Sequence, residues 1–304
     1  AVFADQLFIF STRSEWTAHF LLEFVKAHVV DAPPPDDDEE TILFEDVPSL
    51  PPPPAPAEKT WQGSLSDGTP LLLWKTSNNS VHLRLGDEFQ VAMDLGHRNT
   101  VCLISESQKA AKRRRPQPGG YLLPILTYLL AVHDRYIVHA AGVVVKDKAL
   151  LLMGESGSGK TTSALAFAAA GLPLLGDDLL VLHENQGNVW VHALHFKPKV
   201  CLAGTADKET LQLQNLPLAR SAIAGAFIHL KGPPGQEETL TRLSPQNALA
   251  KVIAQSNVPG FQPKPLDWLR TLQNFCLCAL AWEWRVGPLT ILNRYTAETT
   301  LSPP

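Results

Sequence analysis

Residues 149–178 read ALLLMGESGSGKTTSALAFAAAGLPLLGDD. An apolar run suited to a β-strand, Ala149 to Met153, gives way to Gly154-Glu155-Ser156-Gly157-Ser158-Gly159-Lys160-Thr161, which fits the pattern GxxxxGK[ST]. Thr162 and an alanine-rich helical stretch follow. Strand, glycine loop and helix in that order make a phosphate cradle. The glycines let successive backbone N–H groups curl around an anion without Cβ clashes. The helix N-terminus adds partial positive charge. Lys160 is placed to reach β- and γ-phosphates, and the Thr161 hydroxyl to ligate Mg²⁺, so ATP and Mg²⁺ are the expected cofactors.

Asp177 and Asp178 come soon after Lys160. A helix and a short strand fit between, which returns the pair to the end of the sheet that carries the loop. One carboxylate can bind the metal while the other accepts a hydroxyl proton. Adjacent strand residues face opposite sides, so spacing alone leaves open which does which. Upstream, His139 stands at the start of the strand before the loop, a position open to a structural or a catalytic role.

From residue 136 strands and helices alternate, as in an α/β domain. Strands are expected at 136–146, 149–153, 172–176, 179–183, 189–195, 223–230 and 289–293, and helices at 161–170, 245–254 and 266–282. The first hundred residues read differently. A helix is expected near 14–29, with Ser14 as its N-cap and Trp16, Phe20, Leu21, Phe24 and Val25 at helical spacing. Short β-like runs at 69–75, 80–85, 89–95 and 100–105 are separated by Gly, Asn and Asp, which predicts a small antiparallel unit. The expected organisation is an N-terminal α+β domain over 1–110, a basic then Pro/Gly-rich linker over 111–120 (KRRR at 112–115), and a P-loop domain over 121–304 that opens with a helix at 122–133.

Between these parts the composition is uneven. Residues 31–60 hold nine acids and one base, and nine of the chain's 25 prolines. This composition predicts a solvated acidic loop, in which TILFEDV (41–47) is a short apolar island, dispensable for the core and for nucleotide binding. The whole chain of 304 residues has a formal net charge of -4. With that segment set aside, 25 bases face 21 acids, a balance that suits an anionic small ligand and argues against a nucleic-acid partner. Hydrophobic residues at 45% and charged residues at 18% exclude wholesale disorder. Four scattered cysteines do not make a disulfide framework. The N-terminus AVFADQLFIF has neither a basic nor a long apolar leader segment, and no apolar run reaches the roughly 20 residues a bilayer requires. A cytoplasmic setting without a membrane partner is the expectation.

The stretch VHAAGVVVKDKALLLMGESGSGKTTSALAFAAAGLPLLGDD (138–178) resembles the catalytic core of HPr kinase/phosphorylase and its relatives, which include stand-alone serine kinases of peptide-modification clusters. The match runs through His-Ala before a β-hairpin, the GESGSGK loop, the helix and the Asp-Asp pair. Residues 222–253 are similar to the family's late strand–loop–helix region. The resemblance implies the phosphoenolpyruvate-carboxykinase type of P-loop α/β fold. It implies an ATP-dependent kinase acting on a Ser or Thr hydroxyl of a peptide or protein, such as a modified or precursor peptide, with homo-oligomers among its forms. It makes His139 the active-site histidine, Lys160 the phosphate lysine, Asp178 the base and Asp177 its neighbour at the metal, with Thr161. The chain departs from the family where GKS-Glu is replaced by Gly159-Lys160-Thr161-Thr162 and where an Arg-Gly-x-Gly run gives way to HALHFKPKVCLAG. Lys197, Lys199 and Arg242 are candidates for a second phosphate contact. The same loop also suits a regulatory NTPase, a nucleotide-sensing adaptor or a small-molecule kinase. Turnover without acceptor separates the first of these from a kinase.

Overall fold

The computed structural model describes residues 1–25, 39–53, 58–64, 68–77, 79–105, 118–194, 199–201, 208–210, 216–231, 239–256 and 262–285. It divides into two compact units, Ala1–His133 with Pro259–Pro263, and Asp134–Val258 with Lys264–Pro304.

The first unit holds β1 (Val2–Phe3), β2 (Gln6–Thr12), α1 (Glu15–Val25), β3 (Glu40–Val47), β4 (Glu58–Ser64), β5 (Pro70–Ser77), β6 (Ser80–Leu85), β7 (Phe89–Asp94), β8 (Asn99–Ser105) and α2 (Pro118–Val132). The strands form one sheet in the order β1-β2-β3-β8-β7-β6-β5-β4. Strands β2, β3 and β8 run parallel and the remaining neighbours antiparallel. The β1–β2 turn is closed by Ala4 and Asp5, both left-handed at φ +48° and +63°, as a two-residue turn between right-twisted strands requires. Ser14 caps α1: its Oγ accepts from the Thr17 N–H at 3.3 Å. The helix connects β2 to the parallel β3.

Strand β3 corrects the acidic-loop reading of 31–60. TILFEDV lies between β2 and β8, with Ile42 paired to Phe10 on one side and to Thr100 on the other. Its alternation decides the matter physically. Glu40, Ile42 and Phe44 are buried, Phe44 stacks on Phe10, and the buried Glu40 carboxylate meets His133 Nε2 at 2.8 Å. In the sequence the prolines flank the strand rather than interrupt it, so none removes a donor from its ladder.

The second unit holds β9 (Arg135–His139), β10 (Ala141–Val145), β11 (Lys148–Gly154), α3 (Lys160–Ala169), β12 (Leu174–Gly176), β13 (Leu179–Asn185), β14 (Asn188–Ala193), β15 (Lys199–Cys201), β16 (Lys208–Thr210), β17 (Ser221–Leu230), β18 (Thr239–Arg242), α4 (Pro245–Ala254), α5 (Pro265–Cys278) and β19 (Leu280–Arg285). The main sheet runs β12-β10-β11-β17-β14-β13-β9, with β19 joining β17 and β18 joining β19. Strands β11, β17 and β19 are parallel. Each of β9/β10 and β12/β13 is a single strand interrupted once, at Ala140 and at Asp177-Asp178. The two lie antiparallel, His139 opposite Leu179 and Gly142 opposite Gly176.

Helix α3 covers one sheet face. Ala164, Phe167 and Ala168 pack with Leu150, Leu152, Ile228, Leu230 and Trp284 in one buried cluster. Strand alternation sends Phe227 to the opposite face, where it stacks on Phe275 of α5 at 5.5 Å. The fold class is therefore mixed α/β, with helices on both faces of a sheet.

Two other expectations change. The 266–282 helix ends at Cys278, and Leu280–Arg285 is strand β19 instead. Ala281 and Trp284 are buried while Trp282 and Glu283 are partly exposed, so the segment fits a half-covered sheet rather than a helix face. Helix α2 starts at Pro118 and belongs to the first unit, so the second begins at Asp134 rather than in the 111–120 stretch or at residue 121. The expected strand at 289–293, KRRR at 112–115 and Lys197 lie outside the described residues. Among the described residues, no helix is long and apolar enough to cross a membrane.

Candidate functional site

Strand β11 delivers the chain to Gly154 at φ +139°. A Cβ there would stand 2.4 Å from the Leu230 carbonyl oxygen of the adjacent strand, a separation no side chain tolerates, so the close approach of β17 demands glycine. The loop returns through a Ser158 N–H to Glu155 carbonyl bond of 3.2 Å. It enters α3 at Gly159, which has φ +93° and gives the helix no side-chain cap. The N-terminus of α3 therefore has no side-chain acceptor of its own at the cap position, and its partial positive charge favours an anion. Ser158 Oγ is buried beside this helix start and has no hydrogen-bond partner among the described residues. Glu155, Ser156 and Gly157 are exposed on the loop's outer side, and Thr162 on the helix.

Lys160 is buried, and its ammonium spans the loop, donating to the Gly154 carbonyl at 2.8 Å and the Glu155 carbonyl at 2.9 Å. One residue on, Thr161 Oγ1 donates to Asp177 Oδ1 at 2.8 Å. Asp177 is buried, while the Asp178 side chain is 74% exposed. Asp178 sits in the left-handed region at φ +74°, uncommon for a residue with a Cβ and costing on the order of 1–3 kcal/mol. The His139–Leu179 and Gly142–Gly176 pairs share one register across this interruption, and the β10–β12 ladder then shifts between Gly142 and Val143. The break turns the two carboxylates apart. Asp178 Oδ1 meets His139 Nε2 at 2.8 Å, and its carbonyl accepts from the Ala140 N–H at 3.2 Å. The His139 N–H in turn donates to the Gln255 carbonyl at the end of α4, at 2.6 Å.

The sequence-derived residues therefore converge. Loop, Lys160, Thr161, Asp177, Asp178 and His139 form one connected chain of contacts. Arg242 is exposed on β18, paired with Trp282 and separated from the loop strand by β17 and β19. Lys199 lies on β15, outside the main sheet.

No protein-family model matches the chain, and no curated protein matches it. Among solved structures it is similar to the Hpr(Ser) kinase/phosphatase from Coxiella burnetii. The identity is 13%, over 54% of this chain and 99% of that one, with a TM-score of 0.32. A superposition that loose says nothing of the chemistry here.

A group of charges that the sequence did not single out lies on the other side of the loop. Glu283 of β19 receives Lys251 of α4 at 2.7 Å and Lys231, just past β17, at 3.4 Å. His229 Nδ1 stands 3.9 Å from the same carboxylate. Lys251 first, then Lys231, hold the Glu283 carboxyl below its ordinary range. Burial, then Lys251, lowers the His229 value, so the imidazole stays neutral more readily than a free one. A helix assigned through residue 282 hid this group. The alternation Ala281-Trp282-Glu283-Trp284 was its one local signal.

Proposed function

We propose that the chain is an ATP- and Mg²⁺-dependent kinase of the HPr-kinase-like class, transferring the γ-phosphoryl group to a Ser or Thr hydroxyl of a peptide or protein. The observation that carries this reading is the separation of the two carboxylates. Buried Asp177 faces the Thr161 hydroxyl, and exposed Asp178 faces His139. A hydrolase that only positions water has less need of an exposed carboxylate–histidine pair beside a buried metal-type pair.

The Thr161 hydroxyl and Asp177 carboxylate are hard oxygen donors 2.8 Å apart, a set that fits Mg²⁺. Bound there, Mg²⁺ supplies positive charge against the β- and γ-phosphate oxygens. The uncapped α3 N-terminus and the glycine loop fit a triphosphate. Lys160 turns its ammonium from the two loop carbonyls to the phosphates. Asp178 takes the proton of the acceptor hydroxyl as that oxygen bonds to the γ-phosphorus and the bridging bond to ADP breaks. His139 holds Asp178 in place.

The test is steady-state transfer to Ser/Thr peptides by Asp178→Asn and Asp177→Asn variants. Asp178→Asn is expected to lower kcat by two orders of magnitude or more with ATP affinity within a few-fold of the parent. Asp177→Asn is expected to weaken Mg·ATP binding as well. Turnover that proceeds equally without any acceptor, or the reverse pattern in the two variants, contradicts the assignment.

A further inference from the structure

Strands β11, β17 and β19 run parallel, and their carboxyl ends lie in register: Met153 opposite His229 opposite Glu283, then Gly154 opposite Leu230 opposite Trp284. Leu230 and Trp284 enter the core under α3. Alternation places His229 and Glu283 on the opposite face, where α4 supplies Lys251. The phosphates that the loop and α3 would hold lie on the α3 side. The charge cluster is thus beside the phosphate loop but is not part of it. Glu155 of the loop acts on His229 in the direction of its charged form, after burial, the two lysines and Glu283.

Two ammonium groups face one carboxylate, and His229 is biased to neutrality by burial and by both lysines, so the cluster is net positive. Each ammonium has three donors and gives Glu283 at most one or two. The lysine side chains are 46% exposed at Lys231 and 26% at Lys251. The Lys231 pair, the more exposed of the two, adds little stability. His229 Nδ1 is buried and makes no hydrogen bond among the described residues. Helix α4 connects the cluster to the carboxylate–histidine pair: Lys251 lies one turn, about 6 Å of helix rise, before Gln255, whose carbonyl holds the His139 backbone.

We propose that Lys231 and Lys251, gathered by Glu283, form a second anion subsite beside the phosphate loop, and that the acceptor carries its own negative charge next to the reacting hydroxyl. The word acceptor rests on the kinase reading; the anion subsite does not. The shared chemistry is an oxyanion, from a carboxylate or a phosphate group of the acceptor.

The experiment is calorimetric binding of inorganic phosphate to the full chain with Mg²⁺ and a non-hydrolysable ATP analogue saturating. The parent is expected to bind phosphate under these conditions. The Lys231→Gln/Lys251→Gln double variant should weaken that binding at least tenfold. Glu283→Gln should tighten it several-fold, because a competing anion is removed. A structural ion cluster predicts instead a lower melting temperature for Glu283→Gln with no gain in binding, which would overturn the proposal. So would complete displacement of phosphate by the analogue, or unchanged binding in the double variant. A more than tenfold loss of analogue affinity with ADP affinity intact also overturns it, in favour of the nucleotide's own γ-phosphate. Competition by succinate supports a carboxylate-bearing acceptor, and its absence a phosphate-bearing one. If the parent transfers phosphate to no hydroxyl yet binds it through the two lysines, the kinase reading fails and the subsite stands.

Discussion

Lys160 carries two expectations that sequence alone does not separate. The GK[ST] pattern predicts its phosphate contact, and on that ground its removal is expected to cost the fold little. The structure has the ammonium buried and bonded to two loop carbonyls. Lys160→Ala should therefore abolish transfer and also destabilise the chain by about 1–3 kcal/mol, the range for losing charge-assisted hydrogen bonds to buried acceptors. Urea unfolding beside a transfer assay checks both parts. His229 makes a second prediction, in pH. Its value lies below the ordinary 6.5 because of burial, Lys251 and Lys231, opposed by Glu283 and Glu155. The unfolded chain binds a proton at this position more readily than the folded one. Stability should therefore fall as pH drops below about 6.5, and level off once the folded imidazole is also protonated. His229→Gln should flatten that part of the curve in denaturant titrations between pH 7 and 5. A slope identical to the parent's rules this histidine out as a contributor.

At the scale of elements, β3 is the piece on which the first unit depends. Ile42 is fully buried between β2 and β8. Ile42→Ala is expected to cost about 2–5 kcal/mol, and deletion of 33–58 to unfold the first unit, because among the described residues it removes the one strand that joins β2 to the β4–β8 meander. Circular dichroism and urea melts of both variants decide it; a deletion variant with the parent's midpoint would make β3 an accessory strand. Elements with a local cause were legible from sequence. The glycine loop is set by a contiguous motif, α4 by Ser244 and Pro245 at its start, and β6 by clean alternation. Elements whose cause is a distant partner were not. The acidic and proline-rich surroundings of TILFEDV dominate its window, whereas its burial depends on β2 and β8, where Phe10 and Thr100 pair with Ile42 from far away in sequence. The same holds within the site. The loop and the acidic pair stand on one contiguous stretch, but the contrast between Asp177 and Asp178 arises from contacts to α3 and β9. The Glu283 cluster draws on three separate elements.

At the scale of the whole molecule, each unit has its own buried core: Phe3, Phe8, Ile42, Phe44, Leu83 and Val91 in the first, and the Leu150–Phe167–Ile228–Trp284 cluster in the second. Every residue assigned here to nucleotide, metal or acceptor, from His139 through Glu283, belongs to the second unit. A ligand that binds only the folded second unit stabilises that unit by mass action, by about 2.7 kcal/mol at a concentration one hundred times its dissociation constant. Hydrogen exchange resolved by mass spectrometry can read the two units separately, since their strands yield different peptides. Mg·ATP should raise the protection of β11, β17 and β19 by that amount and leave β2, β3 and β8 unchanged. Lys160→Ala should lose the gain. Equal gains in both sets of strands would mean that the units unfold as one cooperative block, and then the contact division marks no boundary of stability. A gain confined to β2, β3 and β8 would move the nucleotide site to the first unit and overturn the phosphate-loop assignment, because no residue of that loop contributes there.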